Sequence, residues 1–418
     1  MKFIYNIAVY LYTFAIFLAS PLNTKAKLWI KGRREWRKKL ASATAEFHRI
    51  VWVHCASLGE FEQGRPLIEK IKEELPDFKI ILTFFSPSGY EIRKNYPLAD
   101  YICYLPADTK RNAVYFIRTI RCEKAIFIKY EFWNNYISEL NRNAIPVYLV
   151  SGIFRPDQHF FRWYGSFFLN ILKKFTHIFV QDSRSASLLS QAGVENITVA
   201  GDTRFDRVAK IASSASAVPA IEQFLNGEKA FLAGSSWNSD EDIIAEYINA
   251  NPGRMKWIFA PHEPSRPNIE RLEKILKPSC IRLSQFSEKH KDARILLIDT
   301  VGILSSAYRY AHISAVGGGF GKGIHNILEP ACWGVPVLFG PNHLKFKEAI
   351  DLINLKGAFC FRNYKEFQTI LDRLLTDSIF YKSISEILLK YVEENRGSTE
   401  KIFKKIFQEF EQDSKNQV

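Results

Sequence analysis

The chain has 418 residues, 47% of them hydrophobic and 24% charged, with a formal net charge of +13. Its length and apolar content suffice for two ordinary cores and exceed one domain of usual size, while the positive balance points to nucleic acid, a phospholipid surface or a phosphorylated substrate. Six scattered cysteines with no C-x-x-C pair argue for reduced, packed thiols and against a disulfide framework or a zinc site.

In chain order, residues 3–24 carry no charge and are just long enough to cross a bilayer as a helix. Behind them follow Lys25, Lys27, Lys31, Arg33, Arg34, Arg37, Lys38 and Lys39. This asymmetry, with Pro21 after Ala19-Ser20 where a clean cleavage site would stand, favours an uncleaved anchor over a signal peptide. It sets the rest of the chain on the cytoplasmic side, the basic collar against anionic headgroups. Lipid explains charge gathered there better than a groove-reading surface does, so no nucleic-acid partner is expected.

Short apolar runs then alternate with helix-length segments. Residues 50–53, 79–83, 101–105, 125–128, 147–150, 177–180 and 197–199 read as strands, then 230–233, 257–259, 295–298, 313–316, 335–338 and 359–361. Short runs of this kind separated by helices define an α/β fold with parallel sheets buried on both faces. Between the two sets, residues 208–227 loosen into Ala- and Ser-rich text with one proline, a domain boundary. The expected organisation is an anchor (1–24), a basic juxtamembrane segment (25–47), a first domain (48–207), a linker (208–227) and a second domain (228–418) ending in two amphipathic helices over 378–410. Two doubly wound domains facing across a cleft put ligands at the C-terminal ends of both sheets.

The loop after the first strand, "HCASLGE" (54–60), places Ser57, Gly59 and Glu60 at a strand-to-helix turn, with Gly59 allowing a tight turn. Glu60 is either a general base in the crevice or an acid complementing the helix dipole. "EFWNN" (131–135) puts Glu131 just past a strand, able to orient an acceptor, with Phe132 and Trp133 as core. The aromatic cluster between Phe160 and Phe168, with Arg155, Arg162, Lys173 and Lys174 interspersed, fits a buried helix or a lipid-facing one. In "GDTRFD" (201–206), Arg204 either reaches a phosphate or pairs with Asp202 or Asp206.

The densest signal is "VGGGFGKGIHNILEP" (316–330). Gly318, Gly319 and their neighbours let backbone amides approach an anion, a helix opening near His325-Asn326 offers free N–H groups, and Glu329 can accept from ribose hydroxyls. A turn before a packing helix is the plainer account, and neither P-loop nor dinucleotide spacing is met. Ser235 and Ser236, and His262 and Arg266, sit in two further loops after strands, as ligand contacts or as caps and turns.

Together with "SPSG" (86–89), "LPAD" (105–108), "SSWNSDE" (235–241) and "DTVGIL" (299–304), these motifs in this order over nearly the whole chain resemble the 3-deoxy-D-manno-octulosonic acid (Kdo) transferases. The resemblance implies a GT-B fold, CMP-Kdo as donor, a lipid A precursor as acceptor and no cofactor or metal. It implies Glu60 as catalytic base, with Gly59, Ser57 and Glu131 on the acceptor side. Donor binding falls to Ser235, Ser236, His262, Arg266, Gly318, Gly319, Asn326, Glu329 and Arg204. Three features depart from the family pattern: Pro261-His262-Glu263-Pro264 stands where many members read Pro-Arg-His-Pro, Arg204 where lysine is expected, and the glycine loop differs from the commonest form. The competing functions are another membrane-associated GT-B enzyme, a UDP-sugar transferase or epimerase, and a catalytically silent nucleotide- or sugar-binding module.

Overall fold

Strand β1 (Ile50–Cys55) divides its side chains between two cores: Ile50 and Trp52 join one cluster, Val51, Val53 and Cys55 the other, as the period-two geometry of a strand requires. The computed structural model describes residues 1–214 and 216–409. Around β1 it builds an all-parallel sheet with β2 (Lys79–Phe84), β3 (Tyr101–Tyr104), β4 (Lys124–Ile128), β5 (Val147–Gly152), β6 (His177–Val180) and β7 (Ile197–Val199). The order is β3-β2-β1-β4-β5-β6-β7, with Val53 beside Leu82 and Ile126.

The second sheet holds β8 (Ala230–Ser236), β9 (Lys256–Pro261), β10 (Cys280–Arg282), β11 (Ile295–Leu297), β12 (Ile313–Val316), β13 (Val337–Phe339) and β14 (Ala358–Cys360), in the order β10-β11-β9-β8-β12-β13-β14. Each sheet reverses its winding once, between β1 and β4 and between β8 and β12. At such switch points the loops after neighbouring strands part and open a crevice at the strands' C-terminal ends. All the expected strands form. β10 is an addition, three half-buried residues at a sheet edge with no apolar run to announce them.

The chain divides into a first unit, Met1–Asp206 with Arg396 onward, and a second, Arg207–Asn395. The end of the chain thus belongs with the first sheet and not with the second domain, where the residue pattern alone places it. Ile402, Phe403, Ile406 and Phe407 are buried in the core that also holds Phe61, Leu67 and Ile71, each contributing about 1.5–3 kcal/mol over an exposed position. Asp206 fixes the return by accepting from the Gly397 and Thr399 amides, both at 2.6 Å. The expected closing helices are Ser378–Glu394 and Ser398–Lys404, the latter running on through residue 409; residues 410–418 lie outside the described residues.

The linker expected over 208–227 is largely helical, as Arg204–Ser214 and Pro219–Leu225, with residue 215 outside the described residues. Alanine is a strong helix former, and Val208, Ile221 and Phe224 are buried, so composition alone misreads this segment.

At the N-terminus the uncharged stretch is not one helix. Helix α1 (Lys2–Ala19) ends two residues before Pro21, and α2 (Thr24–Gly32) and α3 (Trp36–Thr44) follow; proline disfavours helix at the residue before it. At 18 residues α1 meets the length and hydropathy of a membrane span, about 27 Å at 1.5 Å per residue. It nevertheless lies along the first unit, with Tyr5, Asn6, Val9, Thr13, Ile16 and Ser20 half-buried on one stripe. Phe3, Ile4, Leu11, Phe14, Phe17 and Leu18 are exposed on the other side.

The basic segment is likewise part of the first unit. Trp29 and Leu40 are buried, and Arg33 donates to the carbonyls of Leu105 and Phe85 beneath the ring of Trp29. Burial pulls its pKa down to about 9, a cation placed inside the fold and not in a solvent-facing collar. All six cysteines are unpaired, as their scatter implies.

Candidate active site

In the first unit the loops after β1 and β4 carry the two carboxylates. Ser57 precedes the helix Leu58–Glu74, and its hydroxyl donates to the Glu60 carboxylate one turn on. Gly59 does not make the turn: it lies inside the helix, its φ is not positive, and an added Cβ would meet only the Ser57 Oγ at 3.8 Å. The turn is made by Ala56 and Ser57, and Gly89 of "SPSG" lets the next helix approach, since a Cβ there would stand 3.0 Å from the Ser57 carbonyl carbon.

Glu131 is held by groups the motif reading left out. Its Oε2 accepts from Trp133 Nε1 at 2.6 Å and contacts His54 Nε2 at 3.1 Å. His54, fully buried on β1, meets Thr83 Oγ1 through Nδ1 at 2.8 Å, and Thr83 accepts from Trp52 Nε1 at 2.8 Å. A carboxylate only accepts, so His54 Nε2 donates to Glu131 when it carries the proton; Trp133 Nε1 also lies 3.2 Å from that nitrogen but makes its shorter bond to Glu131. Trp133 is therefore core and carboxylate partner together, while Phe132 packs on Phe160 and Phe175 as expected. Glu60 also acts electrostatically on Tyr130, whose hydroxyl pKa burial raises and Arg155 lowers. Of the aromatic cluster, Phe160 and Phe167 are buried, whereas Trp163 is 94% exposed.

Arg204 does not stand free. Its guanidinium grips Asp202 Oδ2 through Nε and Nη2 at 2.9 and 2.6 Å. Burial raises the Asp202 pKa, but Arg204 and Lys129 oppose this and leave it below the usual range.

In the second unit the loops after β8 and β12 meet at the switch point. Asp240, almost fully buried, accepts from the Trp237 amide at 3.0 Å and the Gly318 amide at 3.1 Å, tying one loop to the other. The Gly318 N–H expected to face an anion is thus already engaged. Gly318 has φ +92, and a Cβ on Gly319 would stand 2.5 Å from the Gly340 nitrogen, so the glycines also serve close backbone crossings. Ser236 is buried and donates to Glu241 at 2.8 Å. Ser235, at φ +49, is a non-glycine residue in the left-handed region at the strand end, the kind of strain that gathers at sites.

Asn326 donates to Glu329 at 3.3 Å and accepts from the Leu328 amide at 3.2 Å. The helix expected to open near His325 begins only at Leu328 and runs four residues, so it offers no extended helix N-terminus. Burial pushes the Glu329 carboxyl up, while Arg207, Ser305 and Asn326 pull it back.

His262 stacks on Trp237 at 4.7 Å and on His325 at 4.3 Å, and Trp237 Nε1 donates to His325 Nε2 at 3.1 Å. Neither Trp237 nor His325 is among the site residues that the motifs suggest, although both lie within quoted motifs. Arg266 points away: its side chain is 84% exposed and paired with Glu270. Among the described residues no group of three His, Cys, Asp or Glu side chains could hold a metal ion.

The stack carries a pH prediction. Burial, and then the neighbouring His262, lower the His325 pKa from 6.5 to about 4, and burial lowers that of His262. The folded state prefers neutral rings, so in that window the unfolded chain binds more protons and stability falls as pH drops from 6.5 towards about 4. Thermal midpoints across this range are expected to decline more steeply for wild type than for His325→Phe, which stacks but cannot protonate; parallel curves would contradict the assignment.

Two parallel seven-stranded sheets wound in this order define a GT-B-like fold. The UDP-GlcNAc 2-epimerase from Neisseria meningitidis, solved with UDP-GlcNAc, shares this fold at TM-score 0.61 and 14% identity, covering 86% of this chain and 100% of that one. The family model described as 3-Deoxy-D-manno-octulosonic-acid transferase (kdotransferase) matches residues 32–207. The 3-deoxy-D-manno-octulosonic acid transferase of Aquifex aeolicus (strain VF5) is 28% identical over 333 residues, 78% of this chain and 86% of that protein. That of Rickettsia bellii (strain RML369-C) is 27% identical over 360 residues, 83% and 85%. Over most of its length the chain is thus similar to the Kdo transferases, and its first half matches their family model, which supports a glycosyltransferase.

Proposed function

We propose that this chain is an inverting transferase that moves Kdo from CMP-Kdo to the lipid A precursor in lipopolysaccharide core synthesis. The observation that carries this reading is one of position: the stretch matched by the family model contains both switch-point carboxylates, Glu60 and Glu131. The first unit takes the acceptor and the second the CMP-Kdo. Glu60 removes the proton from the acceptor's primary hydroxyl as that oxygen attacks the anomeric carbon. The bond to the CMP oxygen breaks as the new one forms on the opposite face, and configuration inverts. Glu131, with Ser57 and Gly59 nearby in sequence, orients the acceptor.

On the donor side Asn326 and Glu329 are the leading contacts, with Ser235, His262 and Gly319 beside them. The departing phosphomonoester is stabilised by loop N–H groups and cationic side chains. Gly318, Ser236 and Arg204 act at most through the partners that already hold them, and Arg266 is the weakest candidate of the set.

The protein works at the bacterial inner membrane with its catalytic units on the cytoplasmic side. The exposed apolar side of α1 supports this placement. So does an open groove of about 820 Å³ lined by Tyr10, Arg37, Lys110, Arg111, Tyr115 and Arg118, with no acidic side chain in its wall.

The test is transfer from enzymatically generated CMP-Kdo to tetra-acylated lipid A precursor, with products resolved by mass. A product heavier by Kdo is expected; no product from folded, CMP-binding protein would overturn the reading. The fold shared with UDP-sugar epimerases favours one second reading, a UDP-sugar enzyme. UDP competing better than CMP would select it.

A further inference from the structure

We propose that α1 is a positioning element of the first-unit site as well as a membrane contact, with Tyr5 and Tyr12 holding the segment that carries Glu131. The proposal rests on the reading of Glu131 as an acceptor-side residue. Two sets of contacts connect the helix to that segment.

The first is a clasp at the end of β3. Tyr5 donates its hydroxyl to Asp108 Oδ2 at 2.5 Å and accepts from the Asn134 amide at 3.3 Å. Asp108, almost fully buried, also accepts from the Asn135 amide through Oδ2 and the Tyr136 amide through Oδ1, both at 3.0 Å. These amides open the helix Asn134–Arg142 directly after Glu131. Asn135 closes the clasp, its Nδ2 donating to Asn6 Oδ1 at 2.9 Å and to the Asp108 carbonyl at 2.5 Å. Asp108 belongs to "LPAD" and Asn135 to "EFWNN", and the transfer reaction itself gives neither of these two residues a task.

The second set is a column of rings. Tyr12 stacks on Phe85 at 6.2 Å, Phe85 packs on Trp133 at 4.7 Å, and Trp133 donates to Glu131. One helix therefore grips the Glu131 segment on both sides, through backbone amides after it and through the ring that bonds to it. A helix serving only as a tether has no need of a hydrogen-bonded face on the enzyme. The outward face of α1 carries Phe14, Phe17 and Leu18, none of which takes part in either set.

The two faces are separable by experiment on the full-length protein. In detergent micelles holding the acceptor, Tyr5→Phe combined with Asn6→Ala is expected to lower kcat about tenfold, since catalysis is sensitive to displacements of about 1 Å. The Kd for CMP and flotation with phosphatidylethanolamine and phosphatidylglycerol vesicles should be retained. Phe14→Ser with Phe17→Ser and Leu18→Ser should show the reverse, flotation lost and micellar kcat kept. Amide exchange over residues 131–136 should quicken in the clasp variant alone, a readout that needs no activity. Unchanged exchange and unchanged kcat in the clasp variant would overturn the proposal, as would losses in kcat, CMP affinity and thermal midpoint together, which mark general unfolding. Tyr12→Leu then tests the ring column with the clasp intact, and wild-type kcat and exchange there would overturn its part. If the wild type transfers nothing, the functional reading fails, while the exchange result still decides the role of α1.

Discussion

Glu60→Gln is expected to abolish transfer while leaving the fold intact. General-base catalysis contributes about 10²–10⁴-fold, so kcat should fall by that order. Ser57 donates to the Glu60 carboxylate at the helix start, and the side-chain oxygen of glutamine can accept the same bond. The substitution therefore keeps the contact with Ser57 and removes the basicity. Steady-state kcat beside the thermal midpoint checks it: wild-type kcat would leave Glu60 a helix-start acid and nothing more. CMP affinity should be unaffected, because the proposed nucleotide contacts lie in the second unit.

The second large effect is expected at Asp240. Its Oδ2 accepts from both the Trp237 and Gly318 amides at a buried position, and leaving a buried donor without a partner costs about 1–3 kcal/mol. Asp240→Ala should lower the urea midpoint and weaken CMP binding about tenfold or more, a loss of about 1.4 kcal/mol or more in binding, because both loops at the switch point lose their common tie. Asp240→Asn should recover most of both, since an amide oxygen accepts the same two bonds and burial already pushes the carboxyl towards its neutral form. Wild-type CMP affinity in the alanine variant, measured by calorimetric titration, would show that the tie does not shape the nucleotide site.

Much of the molecule was legible from residue pattern alone, for a physical reason. Strands buried on both faces read as short apolar runs, so the runs around Val53 and Ile258 announce themselves, and with them the α/β class and the loops that follow. Glu60 and Glu131 could be placed because each stands just past such a run. The order of the motifs along the chain resembles that of the Kdo transferases, and the match of residues 32–207 to their family model agrees with it.

What local pattern does not carry is the partner of a polar group and the direction of a side chain. Ser236 and Arg266 lie in suitable loops, yet one is spent on Glu241 and the other turned to solvent. His54 and Asp240 reach across between strands and loops far apart in sequence, so nothing near either residue signals its role. The return of Ile402 to Phe407 to the first core, and the seating of α1 by Tyr5 on Asp108, are likewise settled by tertiary contacts. An amphipathic helix specifies that one face is to be buried, but which surface buries it is decided by the packing of the whole chain.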